Sequence, residues 1–171
     1  MTLEQVRTLI DYHYWARDRI LDALEPLTVE QYTRDMGNSF RSIRDTIVHI
    51  YGADRVWYER WRGGSPRALV DASEFPDVVS VRQAWMELER GYRAHVEELG
   101  NAGIGRILNY TLLNGQPCSN VFWQMLQHVV NHASYHRGQL TTMLRQLGGA
   151  LPKPMDLIAF YRERQATTHA R

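Results

Sequence analysis

From about Ser119 to Gly148 the chain carries an apolar stripe, Met125, Val129, Leu140, Met143 and Leu147, at spacings that combine threes and fours. Successive residues of an α-helix advance about 100° around the axis, so this pattern demands a helix with one buried side. In the middle of the stripe, where more hydrophobic residues are expected, stand His132 and His136. The helix therefore turns two imidazoles, one turn apart, into the protein interior. Such a pair is costly to bury without partners. Two neutral imidazoles at this spacing can hold one transition metal ion from the same side. The competing reading is a pair of core histidines satisfied by hydrogen bonds. His128 extends the four-residue ladder but rotates toward the flank, and Arg137 points further away.

A buried stripe needs other helices to cover it, and three more segments supply them. The first runs from about Thr2 to Leu24, with Thr2 and Gln5 at capping-box spacing and Pro26 beyond its end. Ser42 and Asp45 begin a second, which continues to about Arg62 before Gly63-Gly64-Ser65-Pro66 breaks it. Ser80 and Gln83 open a third that ends near Gly100, and Ser119 is positioned to cap the fourth. Between these last two, Asn114-Gly115 is a favoured hairpin turn flanked by β-branched and aromatic residues, which predicts a two-stranded excursion. A short final helix is expected from about Asp156. The fold class is therefore all-α, a four-helix bundle with a small hairpin between helices three and four.

At 171 residues the chain can bury one substantial core, and one domain over residues 1–171 is the expectation. Lys and Arg number 20 against 19 Asp and Glu, with no long run of like charge, which gives no support for a nucleic-acid surface or a polybasic membrane anchor. Cys118 is the sole cysteine and cannot form an internal disulfide, which points to a reducing compartment. Met1 is followed by a charged amphipathic segment, and no apolar run approaches a membrane span. A cytoplasmic protein with neither a nucleic-acid nor a membrane partner is expected.

Two histidines leave a metal underbound, so a third ligand has to come from another segment. His49 is the leading candidate. It lies off the centre of the face defined by Ile43, Ile47 and Ile50, but Thr46 and Ala53 on its own arc are small enough to leave room for an ion or ligand. Asp45, one turn earlier, could orient His49 through its free ring nitrogen, in competition with a capping role. His128 suits a position at the rim. His13 falls on the inward side of the first helix, where a satisfied core histidine is the simpler reading. His95 and His169 read as surface positions. Cys118 could be activated by the nearby helix start. Tyr135 and Gln139 lie near the metal turn, Arg137 could meet an acidic residue or a partner subunit, and Trp57, Trp61, Trp85 and Trp123 read as packing residues.

Asn131-His132-Ala133-Ser134-Tyr135-His136-Arg137-Gly138-Gln139 resembles the signature helix of the DinB/YfiT-like metalloenzyme family. Ser42-Ile-Arg-Asp-Thr-Ile-Val-His49 resembles the segment with that family's first metal histidine, and Tyr12-His13-Tyr14-Trp15-Ala16 its first-helix aromatic motif. The Asn114-Gly115 turn and the Leu-Gly-Gly-Ala-Leu-Pro stretch after the fourth helix also fit, so the resemblance spans almost the whole chain. It implies a DinB-like four-helix bundle, with His49, His132 and His136 as ligands of a divalent transition metal, zinc or nickel. It also implies a homodimer and, through the wider superfamily, a small-molecule substrate or low-molecular-weight thiol.

The leading functional expectation is a metal-dependent enzyme that activates a thiol or water, for thiol transfer or hydrolysis. No general base is identified. The alternative is a non-catalytic metal-binding module for stress response or interaction. A third reading is a carrier of apolar ligands, its histidines serving as polar contacts.

Overall fold

The computed structural model describes residues 1–169, with side chains through residue 167. Four long helices make the bundle: α1 (Leu3–Leu24), α3 (Ile43–Trp61), α4 (Val78–Ile104) and α5 (Phe122–Gln146). Two shorter ones, α2 (Val29–Thr33) and α6 (Leu157–His169), flank them. α3 packs chiefly on α5, and α1 lies against both α4 and α5. Ile10 and Ile20 of α1, Ile47 and Ile50 of α3, Trp85 of α4 and Leu140 of α5 are sealed from solvent. Burying an aliphatic side chain of this size stabilises the fold by about 1.5–3 kcal/mol. No helix among the described residues is long and apolar enough to cross a membrane.

The stripe that predicts α5 is its buried side: Met125, Val129, Leu140 and Met143 are all buried, and His136 is buried with them. The Thr2–Gln5 capping box forms as expected, each side chain bonding the other residue's backbone N–H. At the start of α3 the Ser42 hydroxyl accepts from the Asp45 N–H. These caps fix where α1 and α3 begin, and hence the phase in which they present their residues to the bundle.

Two helix starts differ from expectation. α4 begins at Val78, two residues before Ser80, capped by Asp77, whose carboxylate accepts from the Ser80 N–H at 2.8 Å. α5 begins at Phe122 and has no side-chain cap. Ser119 is committed to strand β2 (Pro117–Val121), opposite Asn109 of β1 (Ile107–Thr111). The first turn of α5 is instead tied down by the Phe122 N–H, which donates to the Arg106 carbonyl at 2.9 Å, and by the fully buried Phe122 ring. At the other end of α4, Gly100 takes φ +55 and ψ −171, ending the regular helix where expected, yet one more turn runs on to Ile104. A side chain at that φ would be strained.

The hairpin forms as an antiparallel pair, Ile107 opposite Val121 and Thr111 opposite Pro117. Gly115 supplies φ +85 in the connecting turn, and the Leu112 N–H donates to the Gln116 carbonyl at 2.8 Å. This turn folds back over α3. The short α2, absent from the sequence reading, is closed by its own capping box, Thr28 with Gln31, and anchored by the buried Tyr32.

Candidate metal centre

α3 and α5 pack against each other and bring three histidines to one point. The Nε2 atoms of His49 and His132 stand 3.1 Å apart, as do those of His132 and His136. All three donor atoms lie within 4.8 Å of one another. Their rings are splayed, with interplanar angles of 60°, 80° and 68°. His136 is buried, while His49 and His132 are half-buried.

Protonation decides what this cluster can hold. The Nδ1 of His136 lies 2.7 Å from Oε1 of Gln139, one turn along α5. An amide oxygen only accepts, so Nδ1 carries the proton and Nε2 keeps its lone pair. Burial, reinforced by the adjacent imidazoles, pushes His49 and His132 down to about 4, so both are neutral near pH 7. The single proton of a neutral His132 cannot serve two acceptors lying 3.1 Å away in different directions. A cation satisfies all three lone pairs together. Nitrogens bound at about 2.0–2.1 Å to one ion stand about 2.9 Å apart at a right angle and about 3.4 Å apart at the tetrahedral angle. The observed 3.1 Å falls between these limits. The donor set, and the spacing of both pairs that include His132, therefore fit a divalent transition metal ion, with the third pair, His49 and His136, within 4.8 Å.

Phe40, in the segment before α3, stacks on His49 with centroids 3.9 Å apart and meets His136 edge-on at 5.3 Å. It closes one side of the cluster. On another, His49 lines an open cavity of about 430 Å³ shared with Ala53, Trp57, Arg60, Leu112 and His128. His128 packs edge-on against Trp57 at 5.2 Å, and its ring lies 5.8 Å from that of His132. It is a rim residue, as its rotation on the helix predicts. Burial and the Arg60 charge lower its pKa.

The sequence model of the DinB family matches residues 1–167. The chain belongs to the DinB family. It is similar to Protein DinB of Bacillus subtilis (strain 168), with 29% identity over 153 residues that cover 83% of this chain and 86% of that protein. A DinB-like protein from Bacillus cereus ATCC 10987, known from a crystal structure, shares the fold with a TM-score of 0.66. That match covers 85% of this chain and 95% of the other at 16% identity.

Other residues of this DinB-family chain sort differently from the sequence reading. Asp45 does not reach His49: its carboxylate accepts from Arg44 Nε at 3.1 Å, and the buried Nδ1 of His49 has no partner. Thr46 likewise bonds away from the cluster, donating to the Ser42 carbonyl at 2.8 Å. Arg137 meets no acidic residue among the described residues. It is buried, donates to Ser134 Oγ at 2.8 Å and lies over the Tyr12 ring. Cys118 sits in β2 opposite Tyr110, four residues ahead of α5, so the dipole of that helix does not bear on it. His95 is half-buried and parallel to Trp61, because α4 turns that side toward the end of α3. His169 lies outside the residues whose side chains are described. Trp61 and Trp85 are packing residues as expected, whereas Trp57 lines the cavity.

His13 is the core histidine its position suggests, and its partner was not foreseen. Asp54 is fully buried and accepts at one oxygen from both His13 Nε2, at 2.6 Å, and Trp85 Nε1, at 2.8 Å. Its backbone carbonyl accepts from Tyr92 at 2.8 Å. One side chain thus ties α1, α3 and α4 together beneath the histidine cluster. Asp54 falls seven residues after the inward Ile47, two helical turns along the same face, which is the signal that marks it as buried.

Proposed function

We propose that His49, His132 and His136 are the ligands of one divalent transition metal ion, zinc or nickel, and that the protein is a metal-dependent enzyme acting on a small molecule. The observation that carries this reading is the hydrogen bond from His136 Nδ1 to Gln139, which leaves Nε2 free to ligate beside two histidines held neutral by burial. A bound ion would supply Lewis acidity, lowering the pKa of a thiol or water that reaches it. Three neutral ligands leave the charge of such an ion uncompensated.

The chain's own residues do the rest. Phe40 fixes the plane of His49 and shields it from solvent on one side. The cavity beside His49 admits a small molecule, and its Trp57, Leu69, Leu112 and Leu113 walls favour an apolar body. No carboxylate lines it among the described residues, so no acidic side chain competes for the ion or repels an incoming thiolate. The family's resemblance to thiol-using transferases favours thiol transfer over hydrolysis. The cavity also weighs against a purely structural ion, which would be enclosed by protein ligands on all sides.

Metal analysis of protein purified without a histidine tag tests the reading. One equivalent per chain is expected in the native sequence and none in the His132→Ala, His136→Ala double variant. Equal metal content in the two proteins refutes the ligand assignment. Absence of turnover by metal-replete protein in thiol-transfer and hydrolysis panels that an active relative passes refutes the enzymatic part.

A further inference from the structure

We infer that Arg60 is the anion subsite of this cavity, so that the substrate is a small molecule with a carboxylate joined by an apolar chain to the group that reaches the histidine cluster. The inference deepens the functional reading above and rests on its claim that the cavity beside His49 receives a substrate.

Arg60 is buried at 5% exposure, yet no carboxylate pairs with it among the described residues. Its electrostatic neighbours are the Tyr110 phenol, the Cys118 thiol and the His128 imidazole, none of them a carboxylate. Its guanidinium lies over the Trp57 ring at 4.7 Å and the Tyr110 ring at 5.1 Å, and those two rings meet edge-on at 5.3 Å. This aromatic pair fixes the plane of the cation. Nε is sealed off without a partner, the two terminal nitrogens make no hydrogen bond, and the side chain lines the cavity. A buried guanidinium with free donors beside a void lacks the counter-charge that desolvated cations require. Burial accordingly lowers its pKa. Of the other buried arginines, Arg17 pairs with Glu89 at 2.7 Å, and Arg137 donates to Ser134 Oγ at 2.8 Å.

Position supports the assignment. His49, Ala53, Trp57 and Arg60 follow one face of α3 and all line the same cavity. Arg60 lies eleven residues beyond His49, about 16 Å along the helix axis, and helical side chains lean toward the N-terminus, back over the cavity. A ligand with its acid on Arg60 would therefore place its other end near His49 after a span on the order of 10 Å. Between them lie Leu69, Leu112 and Leu113, which suit an alkyl or aryl connection. One planar fork with two free nitrogens matches the two oxygens of a carboxylate. A carboxylate also matches the single charge of this fork, whereas a phosphate dianion carries a second charge that one guanidinium does not match.

Hexanoate and 1-hexanol are the probes, titrated into the full-length protein with zinc and again with EDTA. Binding is read from the indole N–H of Trp57 and the Nε–H of Arg60 in nitrogen-edited NMR spectra. Hexanoate should bind at least tenfold more tightly than hexanol in both metal states. Arg60→Gln should bring the two affinities within about twofold while leaving hexanol binding unchanged, and Arg60→Lys should retain most of the preference, which guards against a folding defect in the glutamine variant. Equal affinities in the native protein overturn the inference. So does a preference that disappears with EDTA and survives Arg60→Gln, because the acid would then sit on the ion. Failure of the protein to retain zinc counts against the metal reading alone, since the EDTA titration still measures the role of Arg60.

Discussion

Replacing Gln139 by leucine tests the centre at the bond that sets its protonation. The substitution nearly preserves side-chain volume and removes the acceptor 2.7 Å from His136 Nδ1. His136 is only 6% exposed, so water cannot freely replace the lost carbonyl. Leaving a buried donor unsatisfied costs about 1–3 kcal/mol. In metal-free protein much of that cost is avoidable, because the ring can move its proton to Nε2 and share it with His132. Ligation forbids the escape: Nε2 must then present a lone pair and Nδ1 must hold the proton. Most of the penalty therefore falls on the metal-bound state, and zinc affinity should drop about 10–100-fold, equivalent to about 1.4–2.7 kcal/mol. Competition against a chromophoric chelator at neutral pH measures it. Gln139→Glu keeps an acceptor of greater basicity and should bind zinc at least as tightly as the native protein. An affinity for Gln139→Leu within twofold of native refutes the reasoning, since His136 would then ligate without a fixed tautomer or not ligate at all.

Metal-free protein should lose stability as pH falls from about 6.5 toward 4: unfolded histidines take up protons near 6.5, whereas folded His49 and His132 resist until about 4. Both rings are half-exposed, so solvent screening reduces the contribution to about 1–2 kcal/mol each; melting temperatures of EDTA-treated protein from pH 7 to 5 should fall less steeply in a His49→Asn, His132→Asn variant, and parallel curves would contradict the assignment. Asp54→Ala should destabilise the fold by about 3–5 kcal/mol in urea unfolding, because it strands the buried His13 and Trp85 donors. A loss below about 1 kcal/mol in that experiment would show that Asp54 does not tie the three helices together.

Most of the bundle is written in local patterns. α5 was legible because Met125, Val129, Leu140 and Met143 repeat at helical spacing over several turns, and the same repetition exposed His132 and His136 as interruptions. His49 was harder, since it lies off the central apolar arc of α3 and earned its place partly through family resemblance. Features set by pairing across the sequence were not readable in the same way. Ser119 has the chemistry of a helix cap, but the partner that claims it, Asn109, belongs to a strand whose register no local pattern fixes. α2 is only five residues long, too short to show a period. Phe40 and Arg60 each look ordinary in sequence. One gains its role by stacking on His49, the other by being caught between Trp57 and Tyr110, which come from different elements.

The hairpin between α4 and α5 places Leu112, Leu113 and Asn114 of its turn on the cavity wall, while the imidazoles stand on rigid rods. Reactive groups and gatekeeping groups are thereby carried by parts of the chain that can change independently. Turns tolerate insertion and replacement far better than packed helices do. Exchanging a few residues around Gly115 is therefore a route to new substrate preferences that leaves the ion-binding apparatus as it stands, and a natural starting point for redesign.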